Sequence, residues 1–354
     1  MTRILAFPPR SRLLVFAPHP DDETLATGEL IQLALASSAA VRVVFATDGD
    51  NNPWPQRWVE RRWRIDRDAR ARWGARRRSE AEGALAALGV PADSIRFLGW
   101  PDLGLTHAIE RDDAAVNILT DEIAAFAPTH VAMPSLHDRH PDHGALRVLV
   151  ELALDNASAK VERLGYVVHG REPDSGDWRL PRDEARHARK LDALMAHTSQ
   201  ISLSRKRLLR WASVPETFER ADAASAIAAD APVTLGIPLA PAYRFWRRHD
   251  LLVVVSNGRR IERARVPLPR VVEGGPTSLV TDACGGRVRV DLADGVLRIA
   301  FTEGARGYLK LERTAPRLMI FDVETWCRIE DLAATPAVAA TPVEPVSVAQ
   351  RASL

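Results

Sequence analysis

Through the first half of the chain, short apolar runs alternate with longer amphipathic stretches. Runs at 13–17, 41–46, 95–98, 129–133 and 163–168 predict strands, and the stretches at 23–37, 76–88, 111–126 and 143–153 between them predict helices. Strands separated by helix-length segments do not pair as hairpins, so the alternation predicts a parallel sheet with helices on both faces, a three-layer Rossmann-like α/β arrangement. Residues 183–211 read as a helix-rich closing segment whose Arg/Lys content forms a solvated face.

The pattern changes after about residue 230. Leu251-Leu252-Val253-Val254-Val255 meets Ser256-Asn257-Gly258 and then Arg259-Arg260-Ile261, and Val288 to Leu292 turns through Asp294-Gly295 into Val296 to Phe301. Both are hairpin signals. With 308–312 and 317–323 they predict a small C-terminal β-rich module. From about Ala333 the chain is Ala, Pro, Val and Thr with little periodicity, which predicts a disordered or loosely packed tail. The expected division is therefore 1–230, 231–332 and 333–354.

Composition narrows the class. At 354 residues, 46% hydrophobic and 27% charged, the chain has a soluble globular make-up and enough length for one large core or two smaller ones. A formal net charge of +2 gives no overall nucleic-acid footprint. Cys284 and Cys327 fit neither a disulfide framework nor a CxxC site, so a reducing, cytoplasmic compartment is expected. No apolar run is long enough to span a bilayer, and the apolar part of the N-terminus is too short for a signal peptide. A substrate is then met in the cytoplasm or at its membrane face, with peripheral membrane contact open.

Chemistry concentrates in two clusters. Pro18-His19-Pro20-Asp21-Asp22-Glu23 follows the apolar run Leu13-Leu14-Val15-Phe16 and precedes a predicted helix. A strand opening into a helix sets side chains at the carboxyl edge of a sheet, where α/β proteins bind ligands. His19 and Asp22 offer a neutral nitrogen and an anionic oxygen, a pair that suits Zn²⁺ or a similar ion, and Asp21 lies between them, free to handle protons. The second cluster, Pro134-Ser135-Leu136-His137-Asp138-Arg139-His140-Pro141-Asp142-His143, follows another strand-like run. Helix capping by Asp22 and Asp142 is the plain alternative. It leaves the three histidines unexplained.

These motifs and their spacing resemble the PIG-L/LmbE-like family of metal-dependent de-N-acetylases, which includes N-acetylglucosaminyl-phosphatidylinositol deacetylase and deacetylases of bacterial low-molecular-weight thiol pathways. Thr47-Asp48-Gly49, Arg77-Arg78-Ser79-Glu80, Phe97-Leu98-Gly99-Trp100-Pro101-Asp102, Lys190 and His197-Thr198-Ser199-Gln200 follow in the family's order. The likeness spans about residues 11–220. It implies that His19, Asp22 and His143 hold the metal, Zn²⁺ or another divalent ion such as Fe²⁺. Asp21 would be the general base and His140 the electrophile, with Asp142 keeping the His140 imidazole charged. Three protein ligands leave an open position, which agrees with hydrolytic chemistry. Arg77 and Asp102, from the matched stretches, join the expected substrate contacts. Asp138 reads as either a partner of the site or an exposed loop residue, His137 stays open, and His107, His130, His169 and His187 read as core or surface residues.

Between Asp50 and Ser79 stand Trp54, Trp58, Trp63 and Trp73 among ten arginines. Arginine binds phosphate and carboxylate in a planar, bidentate way, and tryptophan offers a face to sugar rings. Trp54, Arg57, Arg61 and Arg64 are accordingly expected to touch the part of a substrate beyond its reacting group. The alternative is a solvated helix held by Glu60/Arg64, Asp66/Arg70 and Asp68/Arg72 pairs. The functional expectation is a zinc-dependent deacetylase of an N-acetylglucosamine-like sugar in a larger conjugate, anionic or lipid-linked. Its rivals are a metal amidase on a non-sugar amide or thiol conjugate and a non-catalytic glycan- or lipid-binding protein.

Overall fold

The computed structural model describes residues 3–170, 177–221, 233–238, 249–256, 260–267, 277–280, 287–293, 296–301, 306–313, 321–322 and 325–334. Its contacts divide the chain into two units. One comprises Met1–Ala224 with Ser256–Arg263 and Pro316–Trp326; the other comprises Ser225–Val255, Ala264–Ala315 and Cys327–Leu354.

In the first unit, β1 (Arg3–Ile4), β2 (Arg12–Ala17), β3 (Ala40–Thr47), β4 (Ile95–Trp100), β5 (His130–Pro134), β6 (Glu162–Tyr166), β7 (Trp178–Arg179) and β8 (Thr217–Arg220) form one sheet in the order β1-β7-β8-β6-β5-β2-β3-β4. β4, β3, β2, β5 and β6 are parallel, and β8 runs antiparallel to β6 and β7. The chain leaves β2 toward β3 on one side and later returns to β5 on the other. This reversal opens a crevice at the carboxyl ends of β2 and β5.

The helices are α1 (Asp22–Ala36), α2 (Pro53–Glu60), α3 (Arg67–Leu88), α4 (Leu105–Arg111), α5 (Ala114–Phe126), α6 (Pro141–Asn156), α7 (Glu184–Leu194) and α8 (Thr198–Ala212). Alternate residues of a strand face opposite sides. Leu13, Val15 and Ala17 of β2, with Val41, Val43 and Phe45 of β3, join Leu30, Ile31 and Ala34 of α1 and Ala81, Leu85 and Leu88 of α3 in one core. Leu14 and Phe16, on the opposite face, are buried as well. Both faces are covered, as the unbroken apolar runs require.

Two helix boundaries differ from expectation. α3 begins at Arg67, where the Asp66 side chain accepts the Ala69 amide at 2.8 Å as an N-cap. Its buried stripe Ala69, Trp73, Arg77, Ala81, Leu85 steps by one turn, but surrounding arginines mask it in the sequence. The helix expected at 111–126 begins at Ala114 and a separate helix, α4, ends at Arg111, because Asp112 is extended and its carboxylate accepts the Ala114 amide at 2.9 Å.

The β-rich part contains β9 (Val233–Pro238), β10 (His249–Ser256), β11 (Ile261–Pro267), β12 (Thr277–Val280), β13 (Arg287–Ala293), β14 (Val296–Phe301), β15 (Arg306–Arg313), β16 (Cys327–Arg328) and the short helix α9 (Ile329–Ala334). Its two four-stranded sheets run β11-β10-β15-β16 and β12-β13-β14-β9. β13 and β14 pair antiparallel with Ala293 opposite Val296, the register a two-residue turn imposes. The turn residues Asn257, Gly258, Asp294 and Gly295, most of 317–323, and 335–354 of the expected tail lie outside the described residues.

Candidate active site

His19 and Asp22 sit where β2 hands over to α1, and His143 lies in the first turn of α6, after β5. The crevice therefore brings both sequence clusters together. One carboxylate oxygen, Asp22 Oδ2, lies 3.1 Å from His19 Nδ1 and 3.2 Å from His143 Nε2. On its other side His143 Nδ1 is 3.0 Å from Asp138 Oδ2. Despite these separations, neither His143 nitrogen has an aligned hydrogen-bond partner. His19 Nε2 is 3.3 Å from both Asp102 Oδ1 and Asp142 Oδ2.

The electrostatics favour a bound cation. Burial lowers the His143 pKa, yet Asp138 and Asp22 push it up to about 10. His19 is likewise raised well above the ordinary range, with Asp102, Asp142 and Asp22 outweighing burial. Burial works against ionised Asp138, but His143, His169 and the His140 amide hold its carboxyl well below the usual range. Four buried or nearly buried carboxylates thus surround two imidazoles. Three overlapping sets of converging ligand atoms result: His19/His140/His143, Asp22/His143/His169 and His19/Asp102/Asp142. A mixed nitrogen and carboxylate donor set of this kind fits a divalent ion.

Asp21 has φ 121° and ψ −28°, outside the conformations open to most L-residues, at a cost of about 1–3 kcal/mol. Its amide donates to Glu23 Oε2 at 2.8 Å, and its carboxylate is 3.2 Å from an Arg77 guanidinium nitrogen. Burial raises Asp21 to about 6 against the pull of Arg77. Arg77 also donates to Gly49 O at 2.8 Å and to Pro20 O. A Cβ on Gly49 would lie 1.8 Å from the guanidinium, so this left-handed position is restricted to glycine by space as well as by backbone.

A cavity of about 440 Å³ opens onto these groups. Of the expected substrate residues, Arg77, Asp102 and Trp54 line it, and Asp102 accepts the Asn51 amide at 2.9 Å. The remaining expected residues are placed as follows. Arg61 and Arg64 are exposed and lie outside the cavity wall, because α2 ends at Glu60 and the chain turns away through a left-handed Arg61. Arg57 packs over the Trp54 ring at 5.1 Å and the Trp63 ring at 5.0 Å, and donates to Trp63 O at 3.0 Å. It organises the loop. Arg57→Ala should therefore destabilise the protein by about 1 kcal/mol in denaturant unfolding. The Glu60/Arg64 helical pair is likewise absent; Glu60 lies 3.6 Å from Arg72.

The expectation for Asp142 needs correction. Its carboxylate accepts the amides of Leu103 at 2.7 Å and Leu105 at 3.1 Å and faces His19, not the His140 ring. His140 Nδ1 instead accepts the Asp142 amide at 3.3 Å. Burial and the neighbouring His19, His143 and His169 rings hold His140 well below its ordinary pKa. The resting imidazole is thus neutral, with its proton left for Nε2.

Asp138 is buried, not an exposed loop residue, and takes the amides of His140, Val168 and His169. His169, read from sequence as core or surface, lines the cavity, and its ring centroid is 5.0 Å from that of His143. Its position after β6 repeats the placement of both motifs after parallel strands, a signal the sequence did carry. His137 and His107 are exposed, and His187 is 2.9 Å from Glu29 Oε1, away from the cluster. Glu23, His197 and Glu80 had no foreseen contacts. Glu80 holds the start of α8, accepting from Thr198 Oγ1 at 2.7 Å and Ser199 Oγ at 2.6 Å.

Comparison with known proteins places this crevice in context. Residues 14–154, which include both clusters, match the family model PIG-L, GlcNAc-PI de-N-acetylase. A 1D-myo-inositol 2-acetamido-2-deoxy-alpha-D-glucopyranoside deacetylase from Tsukamurella paurometabola is 28% identical over 257 residues, 54% of this chain and 84% of the relative. Its counterpart from Gordonia bronchialis is 30% identical over 245 residues, with the same coverage of 54% and 84%. The solved N,N'-diacetylchitobiose deacetylase of Pyrococcus horikoshii is 20% identical, with a TM-score of 0.45 covering 60% of this chain and 83% of that one. The match across both clusters, together with a relative 30% identical along most of its length, means that the chain belongs to the PIG-L family.

Proposed function

We propose that this protein is a zinc-dependent de-N-acetylase that hydrolyses the acetamido group of an N-acetylglucosamine-like sugar within a larger conjugate. The observation that carries the reading is the convergence of His19 and His143 on one Asp22 oxygen, at the mouth of a cavity that Asp21 also lines. His19, Asp22 and His143 would hold the ion, Zn²⁺ by its match to this donor set, with Fe²⁺ as a second candidate. The ion would supply Lewis acidity toward the acetamido carbonyl and a lowered water pKa.

The chain's own groups do the rest. Asp21 takes the proton of the attacking water and returns it to the departing amine. His140, neutral at rest, offers its Nε2–H to the oxygen that gains charge. Arg77 orients Asp21, while Asp102 accepts hydrogen bonds from the sugar and Trp54 covers the cavity's outer wall. Asp142 fixes the loop carrying Leu103 and Leu105. The rest of the conjugate extends past Trp54, where exposed arginines suit an anionic or lipid-linked group. Among the described residues no helix is long and apolar enough to cross a membrane; the reading sets the reaction in the cytoplasm or at its membrane face.

Acetate release from free and conjugated N-acetylglucosamine tests the proposal. Arg61→Ser and Arg64→Ser should leave kcat/KM for the free sugar within about twofold, as expected of exposed charges. A larger loss on the free sugar would mean that these arginines reach the reacting group.

A further inference from the structure

Glu23 is fully buried, and no step of the reaction uses it. Its carboxylate gathers three partners: the Asp21 amide at 2.8 Å on Oε2, and the Thr24 hydroxyl at 2.7 Å and His197 Nε2 at 3.1 Å on Oε1. An acidic residue in the first turn of a helix ordinarily needs no more than the helix dipole and an end amide. Here the amide it takes belongs to a residue at φ 121°, and an N-cap ordinarily has β-region backbone. The Glu23 bond thus ties the amide of this strained residue to the first turn of α1.

The other end of Asp21 is fixed as well. Its carboxylate meets Arg77, and His197, which anchors Glu23, directly precedes α8. Glu80 ties the first residues of α8 to α3, the helix that also carries Arg77. Amide and carboxylate of Asp21 are thus referenced to the same helix by two routes.

We infer that Glu23 and His197 are positioning residues that hold Asp21 in the backbone conformation from which its carboxylate serves the reaction. The inference rests on the reading of Asp21 as the base. Strain at a functional residue persists only where its surroundings over-determine it, and small misplacements of a reacting group are costly in rate.

The test is a double-mutant cycle on the zinc-reconstituted protein, with acetate release from N-acetylglucosamine as the assay. Glu23→Gln should lower kcat by about tenfold or more, with KM and zinc content unchanged. His197→Gln should do the same more weakly. In an Asp21→Asn background, Glu23→Gln should add less than about twofold, because the residue it positions is already gone. If Glu23→Gln fails to fold by circular dichroism, His197→Gln is carried through the same cycle. An unchanged kcat in the single variants, or a fully additive loss in the cycle, overturns the inference. If Asp21→Asn alone keeps full activity, it is the assignment of the base that falls.

Discussion

Replacing Asp21 with asparagine is expected to lower turnover by about 10²-fold or more while zinc content stays at its original level. The amide keeps the size and the Arg77 contact of the carboxylate but cannot accept a proton from water. Because Asp21 lies between His19 and Asp22 in sequence but meets Arg77 and not the two histidines that converge on Asp22, its loss leaves the converging donors in place. Turnover at the original rate with zinc retained would remove Asp21 from the reaction.

His143→Ala should have the larger effect on the site as a whole, abolishing both zinc binding and turnover. His143 is fully buried between Asp22 and Asp138, and alanine leaves two facing carboxylates with no intervening imidazole. Asp138→Asn probes the outer contact. It should weaken metal affinity by about 10–100-fold, the scale seen when the partner of a ligating histidine is removed. Metal titration of both variants checks the pair. Full zinc occupancy in His143→Ala would shift the site toward the His19/Asp102/Asp142 donors.

The parallel sheet was legible because β2, β3, β5 and β6 are largely apolar runs buried on both faces and, with the edge strand β4, are separated by helix-length segments. The two clusters were legible for the same reason, since each follows such a run directly. Contacts that depend on tertiary closure were not. The short strands β1, β7 and β8 give too few residues for a period to register. The Asp142 carboxylate chooses the Leu103 and Leu105 amides, and only the approach of the loop before α4 to α6 decides that. The stacking of Arg57 on Trp54 and Trp63 was likewise invisible, because stacked and free arginines are identical in sequence. Glu23 was visible as the last residue of its motif, but its role depends on the backbone of Asp21, two residues earlier, and no pattern of residue types reports a φ angle.

The Trp54–Arg57–Trp63 stack gives the Trp- and Arg-rich segment a structural function without removing it from the cavity, since Trp54 is both a stacking partner and a wall residue.

The most direct test of the central claim is to measure acetate and free amine together from an N-acetylglucosamine conjugate, using the protein stripped of metal and then reconstituted with zinc. The account predicts equal amounts of acetate and amine from the zinc-loaded protein and neither from the stripped one. Release that is unaffected by stripping, or no release from any N-acetylated sugar by the zinc-loaded protein, would contradict it.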